Sequence, residues 1–405
     1  MPTSRGERRP LAPAGSDFLL DPEVAYLNHG SFGACPRPVF DIWREWQARL
    51  EREPVLFLDK ELPEFKERAR AALAAFLGAQ AADLVFVPNA THGVNIVAKS
   101  MRFGPGDEVL ATDHEYGACD RVWRYLSKLR GFDYFNRRLP LPFSDPDELV
   151  ERFWEGVTPR TKMIFLSHIS SPTALTLPIR EICRRAREAG IPTLIDGAHA
   201  PGQLELDLES IGADYYTGNC HKWLCAPKGA AFLHARRDRQ GALEPLVVGW
   251  GWESESPGES RFQDLFAWTG TDDPSAVLSV PTAISFQEEH DWPAVREACH
   301  ALLASAERRI SQLTGLPALS ASDGGWWSQM RAIPLPPGDA AALQTALWQD
   351  YRVEVPIIAW QGRRLLRVSV QAYNAEEDID RLVEGLRSLL EAEEAGRGAR
   401  ISTSG

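Results

Sequence analysis

The sequence predicts an α/β protein: a largely parallel sheet covered on both faces, followed by a smaller α+β domain. Three observations carry this. Short apolar runs alternate with helical patterns through the first two-thirds of the chain, the β-then-α rhythm that right-handed crossovers produce. From about residue 280 that rhythm gives way to a mixed texture. The 405 residues, 44% hydrophobic and 25% charged, supply ample material for two or three domains with a large core.

The elements follow in order. Asp83-Leu-Val-Phe-Val87 reads as a strand and Thr91 to Arg102 as a helix; Glu108-Val-Leu-Ala111 is a strand and Ala118 to Leu129 a helix. Met163-Ile-Phe-Leu-Ser167 is a strand, Ile179 to Glu188 a helix, and Pro192-Thr-Leu-Ile195 a strand. Gly229-Ala-Ala-Phe-Leu-His234 closes the series. Val247 to Ala276 is a long connection rich in Gly, Ser and Trp, and loops of that length in a compact protein are usually functional. A single helical stretch runs from Ala283 to Leu313. Then come a strand at Met330-Arg-Ala-Ile-Pro334, a helix from Asp339 to Tyr351, and strands at Val353-Glu-Val355 and Leu365 to Val370. The last helix opens at Asn374, with Glu377 three residues on as an Asn/Glu capping box, and carries Ile379, Leu382, Val383, Leu386, Leu389 and Leu390 at helical spacing. The predicted layout is a flexible 1–20, a large domain over 21–280, a small domain over 281–394, and a small, polar, disordered tail over 395–405.

The formal charge of −12 argues against nucleic acid or an anionic membrane as the main partner. No apolar run approaches the roughly 18–20 residues of a membrane-spanning helix, and no apolar core of signal-peptide length follows the basic Met1 to Pro10, so a cytoplasmic location is the default. The six cysteines are scattered and read as reduced thiols. Cys220, His221 and Cys225 lack a second ligand pair at finger-like spacing, and no metal is expected.

The most informative stretch is Asn219-Cys-His-Lys-Trp223, followed by Pro227-Lys-Gly229 and preceded by Ile195-Asp-Gly-Ala-His199. A lysine with apolar neighbours is partly enclosed, which makes its amine nucleophilic. An acid at the end of an apolar strand, where ligands of such sheets sit, can hold a ring nitrogen protonated. Lys222 and Asp196 together therefore point to pyridoxal 5'-phosphate, covalently held by Lys222, with chemistry at the Cα of an amino acid. His199 packs against the ring, bonds a cofactor oxygen, or merely stabilises its turn. Asn89-Ala-Thr-His-Gly93 joins a strand to a helix, and the backbone N–H groups around Ala90, Thr91 and His92, with the helix dipole and the Thr91 hydroxyl, make an anion site for the phosphate. In Asp113-His-Glu-Tyr116 an aromatic face can stack on the ring, Tyr116 in preference to His114. Arg367 interrupts an apolar strand and must have a partner, either a substrate carboxylate or an internal salt bridge.

These segments, with Leu27-Asn-His-Gly-Ser-Phe-Gly33, His168-Ile-Ser-Ser-Pro172, Gly270-Thr271 and Arg367 to Asn374, resemble the class V aminotransferase group of fold-type I pyridoxal-phosphate enzymes, spanning nearly the whole chain in the family's order. The Asn-His-Gly-Ser-Phe-Gly start and the His-Lys-Trp motif look like the isopenicillin N epimerase branch. The resemblance implies a mostly parallel seven-stranded sheet in the large domain and a homodimer with active sites at the subunit interface. It also implies that Thr91, Asn219 and His221 bind the phosphate, joined by Gly270 and Thr271 of the neighbouring subunit. Arg367, Asn28 and His29 would meet the substrate. Ser171 stands where the family commonly has Asn near the ring oxygen.

The activity expected is epimerisation at Cα, with Lys222 moving the proton. A C–S β-lyase on a cysteine or cysteine-sulfoxide conjugate, a class V aminotransferase and a non-catalytic scaffold are the alternatives. A desulfurase is disfavoured, since no cysteine follows Cys299 to accept sulfur. Trp250 and Trp252 either wall a pocket for an extended side chain or pack at an interface, and His29 and Tyr116 are the candidates for a second acid.

Overall fold

The structure, a computed structural model, describes residues 9–321 and 325–402, with side chains through 396. The chain divides into two compact units, which are taken in turn.

The first unit comprises Phe32–Ser171 and Thr176–Glu289. Its seven strands, in chain order, are β1 Leu84–Val87, β2 Glu108–Thr112, β3 Asp133–Arg137, β4 Thr161–Ser167, β5 Thr193–Asp196, β6 Tyr215–Asn219 and β7 Ala231–Ala235. They form one sheet in the order β1-β7-β6-β5-β4-β2-β3. All neighbours are parallel except the two pairs that involve β7. Both faces of the sheet are covered: every residue of β2, β5, β6 and β7 is buried, the polar Thr-Gly-Asn end of β6 included. One large cluster, including Val94, Val97, Val109, Trp123, Phe165, Leu194 and Leu233, forms the core. The carboxyl ends of β4, β5 and β6 lie side by side, with Ser167 opposite Asp196 and Asp196 opposite Thr217.

The sequence reading did not identify β3, β6, or the helices Arg37–Arg52, Leu62–Leu77 and Pro146–Trp154. The segment 247–276 is not one uninterrupted loop, since it contains the short helices Arg261–Ala267 and, at its end, Ser275–Leu278.

The second unit holds the described residues up to Ser31, Pro172–Leu175, and those from His290 onward. Met330–Leu335 (β8), Ile357–Trp360 (β9) and Arg363–Ser369 (β10) make an antiparallel sheet in the order β9-β10-β8. Val353–Glu354 does not join it, pairing instead with Ala25–Tyr26. The helix expected from Ala283 to Leu313 is two helices, Val280–Glu289, which belongs to the first unit, and Trp292–Thr314. Asp291 adopts a left-handed conformation (φ 47°) between them, and Pro293 follows in the first turn of the second, where its missing N–H does no harm.

The capping box predicted at Asn374 and Glu377 is replaced by a different cap. The buried carboxylate of Asp378 accepts the Ala375 N–H at 3.1 Å and the Asn374 Nδ2–H at 3.1 Å, ahead of the helix Glu376–Ser402. That helix extends through residues 395–402 of the segment read as a disordered tail, and 403–405 lie outside the described residues. At the other end, 1–8 also lie outside them, while the Leu11 N–H donates to Asn374 O and Pro13–Asp17 forms a 3₁₀ turn, so the predicted flexible 1–20 includes ordered chain.

Candidate active site

Lys222 lies in a tight turn between β6 and β7. The N–H groups of Cys220 and His221 both donate to Ala230 O, at 3.0 and 3.2 Å, and Cys225 N–H donates to Lys222 O at 3.0 Å. Gly33 packs directly on this turn. Its φ is +70°, and a Cβ there would lie 2.1 Å from His221 O and 2.8 Å from Lys222 Cα. Only glycine permits that approach. Lys228 Nζ donates to Gly33 O at 3.1 Å and closes the contact.

Asp196 ends β5 and is 3% exposed. One oxygen accepts the Ala198 N–H at 3.0 Å and the other accepts the Cys119 thiol at 3.4 Å. Burial raises its pKa, opposed by the Ala198 N–H, the Cys119 thiol and the charge of Lys222. His199, three residues on, meets Lys222 directly, with Nε2 3.3 Å from Lys222 Nζ. Its Nδ1 accepts the Trp223 indole N–H at 3.3 Å. The structure thus brings the buried Asp196 and His199 and the part-buried Lys222 into one cluster. Two further members, Cys119 and Trp223, received no role from the sequence.

The helix Ala90–Ser100 begins at the carboxyl end of β1. Asn89 caps it, accepting the His92 N–H at 2.9 Å. The Ala90 N–H donates to Asn219 Oδ1 at 2.8 Å, so Asn219 ties the end of β6 to the start of this helix. The Thr91 hydroxyl faces the Cys119 thiol, and His92 is half-buried, with its pKa lowered by desolvation and by Lys99. His221 Nδ1 lies 3.1 Å from Ala230 O, which can only accept, so the proton of the neutral ring is on Nδ1 and Nε2 presents a lone pair. Burial, then the charge of Lys222, lowers the His221 pKa to about 4.

Of the two aromatic candidates after β2, His114 is fully buried, 5.6 Å from the Phe143 ring, with Nε2 near Leu139 O. Tyr116 is 44% exposed at the head of the helix Gly117–Arg130. The Tyr116 ring is thus accessible and the His114 ring is not. Between them lies Glu115, which the sequence reading quoted without a role. Its carboxylate accepts the Thr112 hydroxyl at 2.5 Å and the Ser167 hydroxyl at 2.7 Å. Burial raises its pKa to about 7 against these hydroxyls, and the charge of Asp196 pushes it the same way.

In the second unit Arg367, on β10, is buried and donates through Nη2 to Ser31 Oγ at 3.0 Å. Ser31 donates to Asn28 Oδ1 at 2.5 Å, and Asn28 donates to Glu354 at 3.1 Å. On the same strand Arg364 makes a bidentate ion pair with Glu393. His29 is fully buried, with Nδ1 3.0 Å from the Tyr373 hydroxyl.

Ser171 follows β4 in a loop and is part-exposed. Gly270 and Thr271 are exposed, and Gly270 lines an open cavity of about 840 Å³ with Trp250, Trp252 and Trp268. Trp250 is 83% exposed there; Lys222 does not line this cavity. Among the described residues no group of three or more His, Cys, Asp or Glu side chains is placed to hold a metal, and no helix is long and apolar enough to cross a membrane.

The sequence model of the family described as Aminotransferase class-V matches residues 41–382. The chain is 39% identical over 391 residues to isopenicillin N epimerase of Amycolatopsis lactamdurans, covering 93% of this chain and 98% of that one. It is 29% identical over 409 residues to a probable chloroplastic L-cysteine desulfhydrase of Arabidopsis thaliana, covering 91% and 84%. Among solved structures, a cysteine desulfurase from Thermococcus onnurineus NA1 superimposes with a TM-score of 0.81 over 97% of this chain and 100% of that one, at 18% identity, a likeness of fold.

Proposed function

The chain belongs to the aminotransferase class-V family and is a pyridoxal-phosphate enzyme, and we propose that it epimerises a free α-amino carboxylate at Cα. The observation that carries this reading is the cluster of Lys222, His199 and Asp196 in a chain 39% identical to an isopenicillin N epimerase over 93% of its length.

The residues present fit the cofactor. Asp196 is a buried carboxylate whose charge is left expensive by its two weak-to-moderate donors, and a protonated ring nitrogen is the partner such a group needs. In the first turn of the helix Ala90–Ser100 the Ala90 and His92 N–H groups already donate to Asn219 and Asn89, so it is Thr91 that suits a phosphate there, and Asn219 holds that turn in place. His221, neutral with its lone pair on Nε2, suits an acceptor role toward a phosphate hydroxyl. Tyr116 offers the ring face.

Pyridoxal phosphate supplies the electron sink that lets an amino acid lose its Cα proton. Lys222 would hold the cofactor and act as the general base that takes that proton. Asp196 keeps the ring nitrogen protonated. Arg367, with Ser31 orienting its guanidinium, holds the substrate carboxylate. Epimerisation requires a proton delivered to the opposite face. Tyr116 is the stronger candidate, since His29 is buried against Tyr373. In the same reading two copies act together, the exposed Gly270 and Thr271 of one serving the other's site, and the Trp250 and Trp252 loop favours a substrate with an extended side chain.

A C–S β-lyase is the second reading, supported by the relative named an L-cysteine desulfhydrase. Sulfur relay through a cysteine thiol is disfavoured. Cys299, the last cysteine of the sequence, is fully buried in the helix Trp292–Thr314, where burial pushes its thiol up to about 12. Incubation of a panel of amino acids with extended side chains in deuterated water separates the readings. Deuterium at Cα with inversion supports epimerisation. Pyruvate and ammonia from cysteine derivatives support the lyase and overturn the epimerase, and no exchange with any substrate overturns both.

A further inference from the structure

We propose that Trp223 is a positioning residue whose indole N–H fixes the His199 proton on Nε2, aimed at the Lys222 nitrogen. The inference rests on Lys222 as the cofactor lysine.

The indole nitrogen donates and never accepts. Its partner at 3.3 Å, His199 Nδ1, must therefore present a lone pair. The single proton of the neutral ring is then on Nε2, and Nε2 lies 3.3 Å from Lys222 Nζ. A free amine has a lone pair to receive that N–H; an ammonium has only donors. The arrangement selects the uncharged amine, the form that attacks a carbonyl and accepts a proton. It also stops His199 from taking a second proton, because that proton would face the indole N–H.

Both ends of the relay are anchored. Trp223 is fully buried, and its carbonyl accepts Gln287 Nε2 at 2.7 Å. Gly202 lies against the same peptide, where a Cβ would come within 2.4 Å of Trp223 O. The His199 carbonyl accepts Gln203 Nε2 at 2.8 Å, so the imidazole is held from its backbone side as well.

The charges around Lys222 show why such a device is needed. Asp196 interacts with Lys222 by charge and favours the ammonium. His221, the adjacent titratable group, is neutral at ordinary pH and offers little opposition. The Trp223–His199 pair works against the pull of Asp196, leaving that carboxylate for the ring nitrogen.

The test is nitrogen NMR on the full chain labelled with ¹⁵N-histidine, both cofactor-free and loaded, with His199 assigned by its loss in His199→Asn. The expected spectrum has an unprotonated Nδ1 and a protonated Nε2 for His199 in both states. A protonated Nδ1 in the wild-type chain overturns the proposal, and this outcome needs no variant to fold. In Trp223→Phe the Nδ1-protonated forms should rise roughly fivefold or more, the weight of one net hydrogen bond. With them kcat should fall while KM holds. An unchanged His199 spectrum in that variant refutes the positioning role. Should the cofactor prove to be attached elsewhere than Lys222, the reading of the site fails while the tautomer result still stands or falls by itself.

Discussion

Replacing Glu115 with glutamine should make the protein more stable at alkaline pH than at acid pH, relative to the wild type. Glu115 is buried, and its pKa is raised from an ordinary 4.5 to about 7, first by desolvation and further by Asp196. A carboxyl whose folded pKa lies above its unfolded value binds its proton more tightly when folded. Between pH 4.5 and 7 the unfolded chain therefore carries fewer protons at this site, and stability falls as pH rises through that window. At about 1.4 kcal/mol per pH unit the full swing is ~3 kcal/mol. Glutamine keeps the shape of the protonated acid, and the Thr112 and Ser167 hydroxyls can turn to meet its amide. The variant should match the wild type to within about 1 kcal/mol below pH 4.5 and exceed it by ~3 kcal/mol above pH 7. Urea unfolding of both proteins across pH 4 to 9 measures this. A stability difference that stays flat with pH would refute the account of a buried, charge-averse carboxylate beneath the cluster.

Three further outcomes follow from the same geometry. Arg367→Ala should leave the visible absorption of the cofactor-loaded protein intact while raising KM about tenfold or more, the weight of a charge-assisted hydrogen bond to a substrate carboxylate; an unchanged KM in steady-state kinetics would return Arg367 to a structural role. Gly33→Ala should cost about 2 kcal/mol or more in chemical unfolding, since its Cβ would collide with His221 O at a left-handed φ, and wild-type stability would contradict the packing described. Asp378→Asn should destabilise by about 1 kcal/mol through loss of its charged cap at Ala375, and a shift indistinguishable from zero would show the cap to be dispensable.

Much of the site was legible in the sequence because it is built from strand ends. Asp196 closes an apolar run, Asn89 to Gly93 is a strand-to-helix turn, and Lys222 sits before Pro227-Lys-Gly229; local chemistry marks all three. The partners of these groups were not legible. Ser31 lies 336 positions from Arg367, and the Trp223–His199–Lys222 contacts depend on rotamers set by a whole fold. The strand Tyr215–Asn219 went unseen because its Gly-Asn end lacks strand propensity, and pairing on both sides overrides that preference. The polar edge strand Asp133–Arg137, paired on one side, has no apolar run to reveal it. The break at Asp291 is different. Asp291-Trp-Pro293 is a helix-start signal inside a helical pattern, and the long apolar periodicity masked it. At Asn374 the pattern fitted a capping box, yet Asp378, one residue beyond Glu377, makes the bonds because it is the carboxylate that turns inward.

The account depends most on where the cofactor is attached. Borohydride reduction of the loaded protein, followed by mass mapping of its peptides, fixes that attachment permanently and reads it. The account predicts a pyridoxyl group on Lys222. A label on Lys228, which lies in the same turn region and contacts Gly33, or on the half-buried Lys66, would contradict it.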